Sequence, residues 1–335
     1  MIVRSSGRYF CIGETMGNVF YFPWEVSLME AIQAHLGSFG VKLASFISMF
    51  GEELVLILVL GFLYWSYDKK IGRKVGLSIT MGLVWNPLIK NIACRRRPYF
   101  DNPGIKCLKP VDSSADIYDI KAQGWSFPSG HSANSTIAFG SLAYFFRNKA
   151  VRIICILLPL LVGISRFCVG VHYPTDVICG WVLGLVIVFV MPWLLDHSKH
   201  KAVLYIIVFA VSLVGCFWSR TNDYYTGIGM MAGFFLGDLF EERFVRFENT
   251  KVWWRMLLRV LIGGALFFAL NTLLKLPFPH ALLEGETAAA FIIRAVRYCI
   301  VLFVEVGVYP LAFRILDGKK KKAAQTGASA EGAAE

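Results

Sequence analysis

Long apolar runs alternate with short basic loops along this chain. Apolar helices are expected over residues 40–66, 75–94, 131–146, 151–168, 175–195, 202–218, 225–239, 252–274 and 288–313. Runs such as Ala202–Trp218 and Val177–Leu195 hold no charged residue and approach the ~20 residues that cross a hydrocarbon core. The alternating polarity of membrane barrel strands is absent. Residues 24–37 are more mixed. Leu28, Ile32 and Leu36 share one side of a helix and Glu30 and Gln33 another, while Glu25 and His35 fit that division poorly. This segment is expected as an interfacial helix. The fold class is all-α, a polytopic transmembrane helical bundle.

Basic residues orient the bundle. Lys69–Lys74 and Arg243–Arg255 each hold four, Arg147–Arg152 holds three, and Lys199 and Lys201 fill another loop. With Arg314 and Lys319–Lys322, these all fall on one side if every span crosses. The opposite loops are poor, with none in 168–175, Arg220 alone near 220–224 and Lys275 alone in 275–287. The long loop 95–130 is the exception, and long translocated loops are less bound by this bias. Trp65, Trp193, Trp253 and Trp254 fall near the basic ends, as interfacial belts do. The ends of the second and fourth spans, and the starts of the third and fifth, therefore share the non-cytoplasmic face. A multi-pass protein of the plasma membrane is expected.

Composition agrees. The 335 residues are 56% hydrophobic and 17% charged, against roughly a quarter charged in soluble domains, and mean hydropathy is +0.57. The net charge of +11 raises nucleic acid as a partner, but its confinement to inter-span loops argues against one. Residues 317–335 are expected to be a disordered basic and polar tail. Contact of that tail with anionic headgroups is the less favoured reading. Eight cysteines form no framework and no CxxC, and a Cys94–Cys107 bridge is given little weight. Met1–Gly17 has no sustained apolar run and no cleavable signal pattern, so the residues before Met16 read as a peripheral extension or an early start.

Three stretches carry the chemistry: Lys90–Pro98, Pro128–His131 and Ser165–Asp176. Such polar groups are costly beside lipid and tend to mark function. Arginine forks hold a tetrahedral anion by paired hydrogen bonds and lysine adds a point charge, so Lys90, Arg97 and Arg166 can offset a phosphate dianion. Taken alone, Lys90 and Arg95–Arg97 read as snorkelling residues at a helix end. Ser129 and Gly130 open the third span, where free N–H groups favour an anion and His131 can protonate a departing oxygen. Proline and serine are also ordinary helix starters. His172 and Asp176 are four apart, and a carboxylate on one ring nitrogen turns the other toward phosphorus. A structural bond or half a metal site are the alternatives. No HExxH or further ligand cluster completes the latter, so no metal is expected.

These stretches resemble the three motifs of the type 2 phosphatidic acid phosphatase family, whose site is shared with vanadium haloperoxidases and glucose-6-phosphatase. Lys90 through Arg97-Pro98 fits the first motif, Pro128-Ser129-Gly130-His131 the second, and Ser165-Arg166 through His172 and Asp176 the third, with no departure. The resemblance covers residues 75–195. It implies that Lys90, Arg97, Ser129, Gly130 and Arg166 bind phosphate, His131 is the acid, His172 becomes phosphorylated and Asp176 orients it, with no metal or cofactor. It also implies a six-helix core with an extracytoplasmic site. The chain then divides into an N-terminal extension with interfacial helix (1–38), a phosphatase membrane core (39–218), about three additional spans (219–316) and the tail (317–335).

In the additional spans Gly229, Gly233 and Gly237 repeat every four residues, which suits close packing within the chain or, as the lesser reading, a homodimer seam. Arg294, Arg297 and Glu305 lie within the last span and are candidate functional residues. The expected function is hydrolysis of a membrane lipid phosphate or diphosphate through a phosphohistidine. The alternatives are lipid-linked phosphotransfer and a soluble sugar phosphate substrate; a non-catalytic lipid-binding or transport protein is disfavoured, because a binder has no need of His172–Asp176.

Overall fold

A computed structural model of the protein describes residues 2–5, 8–11 and 17–313. The expected tail, 317–335, lies outside the described residues. Ile2–Ser5 (β1) and Arg8–Cys11 (β2) pair as an antiparallel hairpin, a small addition to an otherwise helical chain. The helices are α1 (Pro23–His35), α2 (Gly37–Ser48), α3 (Glu53–Gly61), α4 (Lys69–Ala93), α5 (Pro98–Asp101), α6 (Ile120–Gln123), α7 (Gly130–Phe145), α8 (Lys149–Cys168), α9 (Pro174–His197), α10 (Lys201–Val214), α11 (Asn222–Phe240), α12 (Trp253–Leu273), α13 (His280–Glu284) and α14 (Ala288–Phe303).

Every expected span falls on a helix or helix pair. Among the described residues, α8, α9 and α12 are each long and apolar enough to cross a membrane. The first expected span, 40–66, is two arms (Gly37–Gly51 and Glu53–Tyr67) bent by 47°, a fourth crossing if the arms count as one. The others fail by length or polarity for a physical reason. Helices α4 and α7 bury Ser78, Thr80 and Asn86, and Ser132, Ser135 and Thr136, against other helices. A helix enclosed by protein need not be lipid-soluble all round. The outward side of α8, by contrast, shows Ile153, Ile156, Leu157, Leu160 and Ile164. A surface of that kind is stable against lipid chains and not against water. This is a membrane protein.

The bend in the first span belongs to the site. A Cβ on Gly51 would stand 2.8 Å from both Cβ and the carbonyl oxygen of His131, so the backbone there rests directly on the start of α7. One large apolar core, including Val84, Ile137, Ile187 and Phe234, joins α4, α7, α9 and α11. A smaller one, including Met29, Tyr99, Ile105, Val171 and Tyr173, seats α1 and the loop after α4 over one end of the bundle.

At the other end Arg73 Nε and Lys201 Nζ lie 2.6 and 2.7 Å from the buried Asp238, and Lys69 lies 2.8 Å from Glu241. These pairs gather the basic loops at one end. Lys90 is 21 residues further along α4, about 31 Å away at 1.5 Å per residue. The glycine stripe of α11 is filled from within the chain: Cβ atoms at Gly229 and Gly233 would meet the α14 carbonyls of Ala295 and Cys299 at 2.2 and 2.3 Å. That agrees with the favoured reading of close packing within the chain, and the stripe gives no support to a homodimer seam, because α14 occupies it.

Candidate active site

Lys90, Arg97, Gly130, His131, Arg166 and His172 line one cavity of ≈ 660 Å³ at the end of the bundle away from the basic loops. Lys90 comes from the last turn of α4, and Arg166 from the last turn of α8. Ser129 caps α7, its Oγ accepting from Ser132 Oγ at 2.9 Å, while Gly130 and His131 form the first turn. His172 sits in the turn between α8 and α9, and Pro174 starts α9. Helices α7 and α9 meet closely because Gly180 has no Cβ, which would lie 2.6 Å from the Ser129 carbonyl oxygen. The Ser129 N–H then donates to the Asp176 carbonyl at 2.9 Å.

Ser129 and Asp176 are fully buried and do not line the cavity. Ser129 caps α7 in this structure, the alternative its sequence position left open. The three cations differ in what they have free. Lys90 Nζ donates to the Trp125 carbonyl at 2.6 Å. Arg97 donates to the carbonyls of Gln123 at 2.6 Å and Val171 at 2.9 Å, which fixes its guanidinium with donors to spare. Arg166 is 2% exposed, and its Nε and Nη1 have no hydrogen-bond partner. A buried donor without a partner is costly, and a guanidinium more so. An anion in the cavity would satisfy it.

The His172–Asp176 pair is less direct than its spacing suggests. His172 Nδ1 stands 3.6 Å from Asp176 Oδ2, beyond a normal hydrogen bond. Ser126 lies between them: its hydroxyl donates to Asp176 Oδ2 and its Oγ is 3.4 Å from His172 Nδ1. The Tyr173 N–H also donates to Asp176 Oδ2, at 2.7 Å, and Arg95 Nη1 to Oδ1, at 2.6 Å. Arg95 in turn meets Glu25 Oε2 at 3.1 Å and Thr175 Oγ1 at 2.8 Å. Burial, then Arg97, Lys90 and Arg166, push the His172 imidazole well below its usual 6.5. It is held neutral, with a lone pair available.

Ser126, Arg95 and Glu25 are the residues that motif reading missed. Glu25 carried a faint signal as the misfit on its helix; nothing in the sequence separates Arg95 from its neighbours Arg96 and Arg97, or marks Ser126. The candidates Arg294, Arg297 and Glu305 are not brought to this cavity. Arg297 donates to Asn271 Oδ1 at 2.8 Å, and Glu305 is buried with both carboxyl oxygens unpartnered. Cys94 is disulfide-bonded, which the sequence did not suggest, while Cys107 is free.

Residues 72–200 match the family described as PAP2 superfamily, and residues 225–322 match the PAP2 superfamily phosphatase transmembrane extension. The chain is 33% identical over 142 residues to an undecaprenyl-diphosphatase of Sulfolobus acidocaldarius, a match covering 42% of this chain and 63% of that protein. It is 32% identical over 184 residues to phosphatidylglycerophosphatase B of Bacillus subtilis, covering 50% of this chain and 74% of the relative. A lipid A 1-phosphatase of Rhizobium etli is 33% identical over 120 residues, 35% of this chain and 47% of its own. No solved structure matches the chain. The chain belongs to the PAP2 superfamily, with the membrane extension that the second match defines.

Proposed function

We propose that the chain is a membrane phosphatase that removes phosphate from a lipid phosphate or diphosphate at the extracytoplasmic face. One observation carries the reading: the buried Arg166 fork, without a partner, lines the same cavity as two histidines. Arg166, Lys90 and Arg97 hold the phosphoryl oxygens and offset the charge that builds in the transition state. Neutral His172 attacks phosphorus through Nε2, and the bond from phosphorus to the leaving oxygen breaks. His131 gives that oxygen its proton. Water then attacks the phosphohistidine, His131 takes the water proton, and inorganic phosphate leaves with His172 restored. Asp176, through Ser126, orients His172 for both steps.

Charge supports the side of the membrane: the basic loops gather about 31 Å from Lys90, at the end the positive-inside rule assigns to the cytoplasm. The names of the relatives fit lipid substrates. Phosphate release from a panel of lipid phosphates by purified protein tests the reading, with His172→Ala as control. Release that His172→Ala abolishes is expected; equal release by both proteins would remove His172 from the chemistry.

A further inference from the structure

A second cavity lies between α3, α4, α11, α12 and the turn that follows α14. It is a slot of ≈ 50 Å³, walled by apolar side chains such as Leu56, Leu60, Ile79, Met230 and Leu302. Two π-helical turns border it, Phe62–Tyr67 after α3 and Val304–Val308 after α14. Turns of this kind are rare and are frequent at functional sites. The second of them brings Glu305 to the slot.

Glu305 is 3% exposed, and neither of its carboxyl oxygens has a hydrogen-bond partner. The polar groups around it are already engaged. Trp65 Nε1 donates to the Glu305 backbone carbonyl at 3.1 Å, which leaves the carboxyl untouched. Thr80 Oγ1 donates to the carbonyls of Gly76 and Leu77 at 3.0 and 3.1 Å, and the Tyr64 hydroxyl turns to Asp238 Oδ1 at 3.5 Å. No lysine or arginine lines the slot, and among the described residues none pairs with Glu305. A carboxylate buried without a partner is costly, and within a membrane span such a group points to function.

The walls define the chemistry of an occupant. The slot exceeds the roughly 10–15 Å³ that one water needs, but a water also needs two or more polar partners, and those beside Glu305 are taken. A cation complements a lone carboxylate. Tyr64, Trp65 and Phe267 set aromatic rings in the same wall, and such rings attract ammonium groups. An apolar slot admits that cation only on an apolar carrier. We infer that the slot is a binding site for a lipophilic amine, its ammonium paired with Glu305 and its hydrocarbon chain along Leu56, Leu60 and Leu302. Glu53 and Leu83 border both this slot and the catalytic cavity, so the occupant stands beside the phosphate site, while none of the cations of that site lines the slot. The inference does not depend on the phosphatase reading.

The test measures the unfolding midpoint of purified full-length protein in a maltoside detergent against dodecylamine, with dodecanol as the uncharged control. The amine should raise the midpoint progressively with its concentration, as a ligand of the folded state does, and the alcohol should not. Glu305→Gln, which keeps the shape and removes the charge, should lose the rise. A midpoint that the amine leaves unchanged in wild type, a rise retained in Glu305→Gln, or one matched by dodecanol overturns the site. A dodecylamine carrying a diazirine on its chain gives a second measure that needs no variant. Irradiation with wild type should label residues 56–65 or 302–306, and excess dodecylamine should suppress that label. Label confined to other segments overturns the inference.

Discussion

Arg95 Nη1 lies 2.6 Å from Asp176 Oδ1, so the carboxylate that stands behind His172 is already held by a buried arginine. The same guanidinium reaches Glu25 on α1, 3.1 Å from its other terminal nitrogen. All three groups are shut off from solvent. One positive charge is thus shared by two carboxylates far apart in the sequence, one near the start and one near the middle. The arrangement ties the N-terminal helix to the first turn of α9, where Thr175 also donates to Glu25 at 2.9 Å.

Removing Arg95 should therefore be costly in two ways. Arg95→Met keeps the bulk but strands two buried carboxylates, and breaking a buried pair costs about 3–5 kcal/mol. The unfolding midpoint in detergent should drop, and phosphate release should fall with it. Arg95→Lys should recover little, because a single ammonium cannot span Glu25 and Asp176 as the fork does. A variant with wild-type stability and activity would contradict the shared-charge role.

Ser126 makes a separable prediction. Its hydroxyl is the link between Asp176 and His172, since the direct approach of 3.6 Å is too long for a good hydrogen bond. Ser126→Ala should lower kcat roughly tenfold, the scale of one hydrogen bond to a charged group, with KM nearly unchanged. A KM change without a kcat change would place Ser126 in substrate binding instead.

How much of this was legible in the sequence follows from the kind of signal each part leaves. Helix positions were readable because apolar runs have a length and a period. The polar linings of α4 and α7 were not, because hydropathy reads both as ordinary spans while packing encloses them. The break at Met49–Gly51 left no proline to mark it; it arises from contact with His131, 80 residues on. Lys90, Arg97, His131, Arg166 and His172 were legible as motifs and meet in one cavity. Arg95, Ser126 and Glu25 were not, because their partners are distant in sequence and their residue types are ordinary for a helix end, a loop and a surface helix.

The charge environment of His172 fixes a pH dependence. Its imidazole resists protonation because it is buried among Arg97, Lys90 and Arg166. The folded value lies below 6.5, so the imidazole stays neutral as pH falls through 6.5. An unfolded chain takes up that proton at about 6.5, so stability contributed by His172 is present above 6.5 and is lost as pH falls toward the depressed folded value. Nitrogen-15 histidine spectra of the protein without phosphate should show one resonance, absent in His172→Gln, that titrates below 6.5. Titration at or above 6.5 would contradict the cationic surroundings described.

Membrane orientation can be checked without turnover. Tyr118 is 58% exposed in the loop beside the site, so Tyr118→Cys gives a reporter on that face. An impermeant maleimide should label it in intact cells above the background of wild type. Labelling that appears only after permeabilisation would place the site on the cytoplasmic side.

The central claim is that His172 carries the phosphoryl group. Rapid acid-free quenching of the protein during turnover of a lipid substrate bearing phosphorus-32 should leave label on the chain, stable to base and labile to acid. The label should map to the peptide containing His172 and vanish in His172→Ala. Label retained in His172→Ala, or full phosphate release by that variant, would contradict the account.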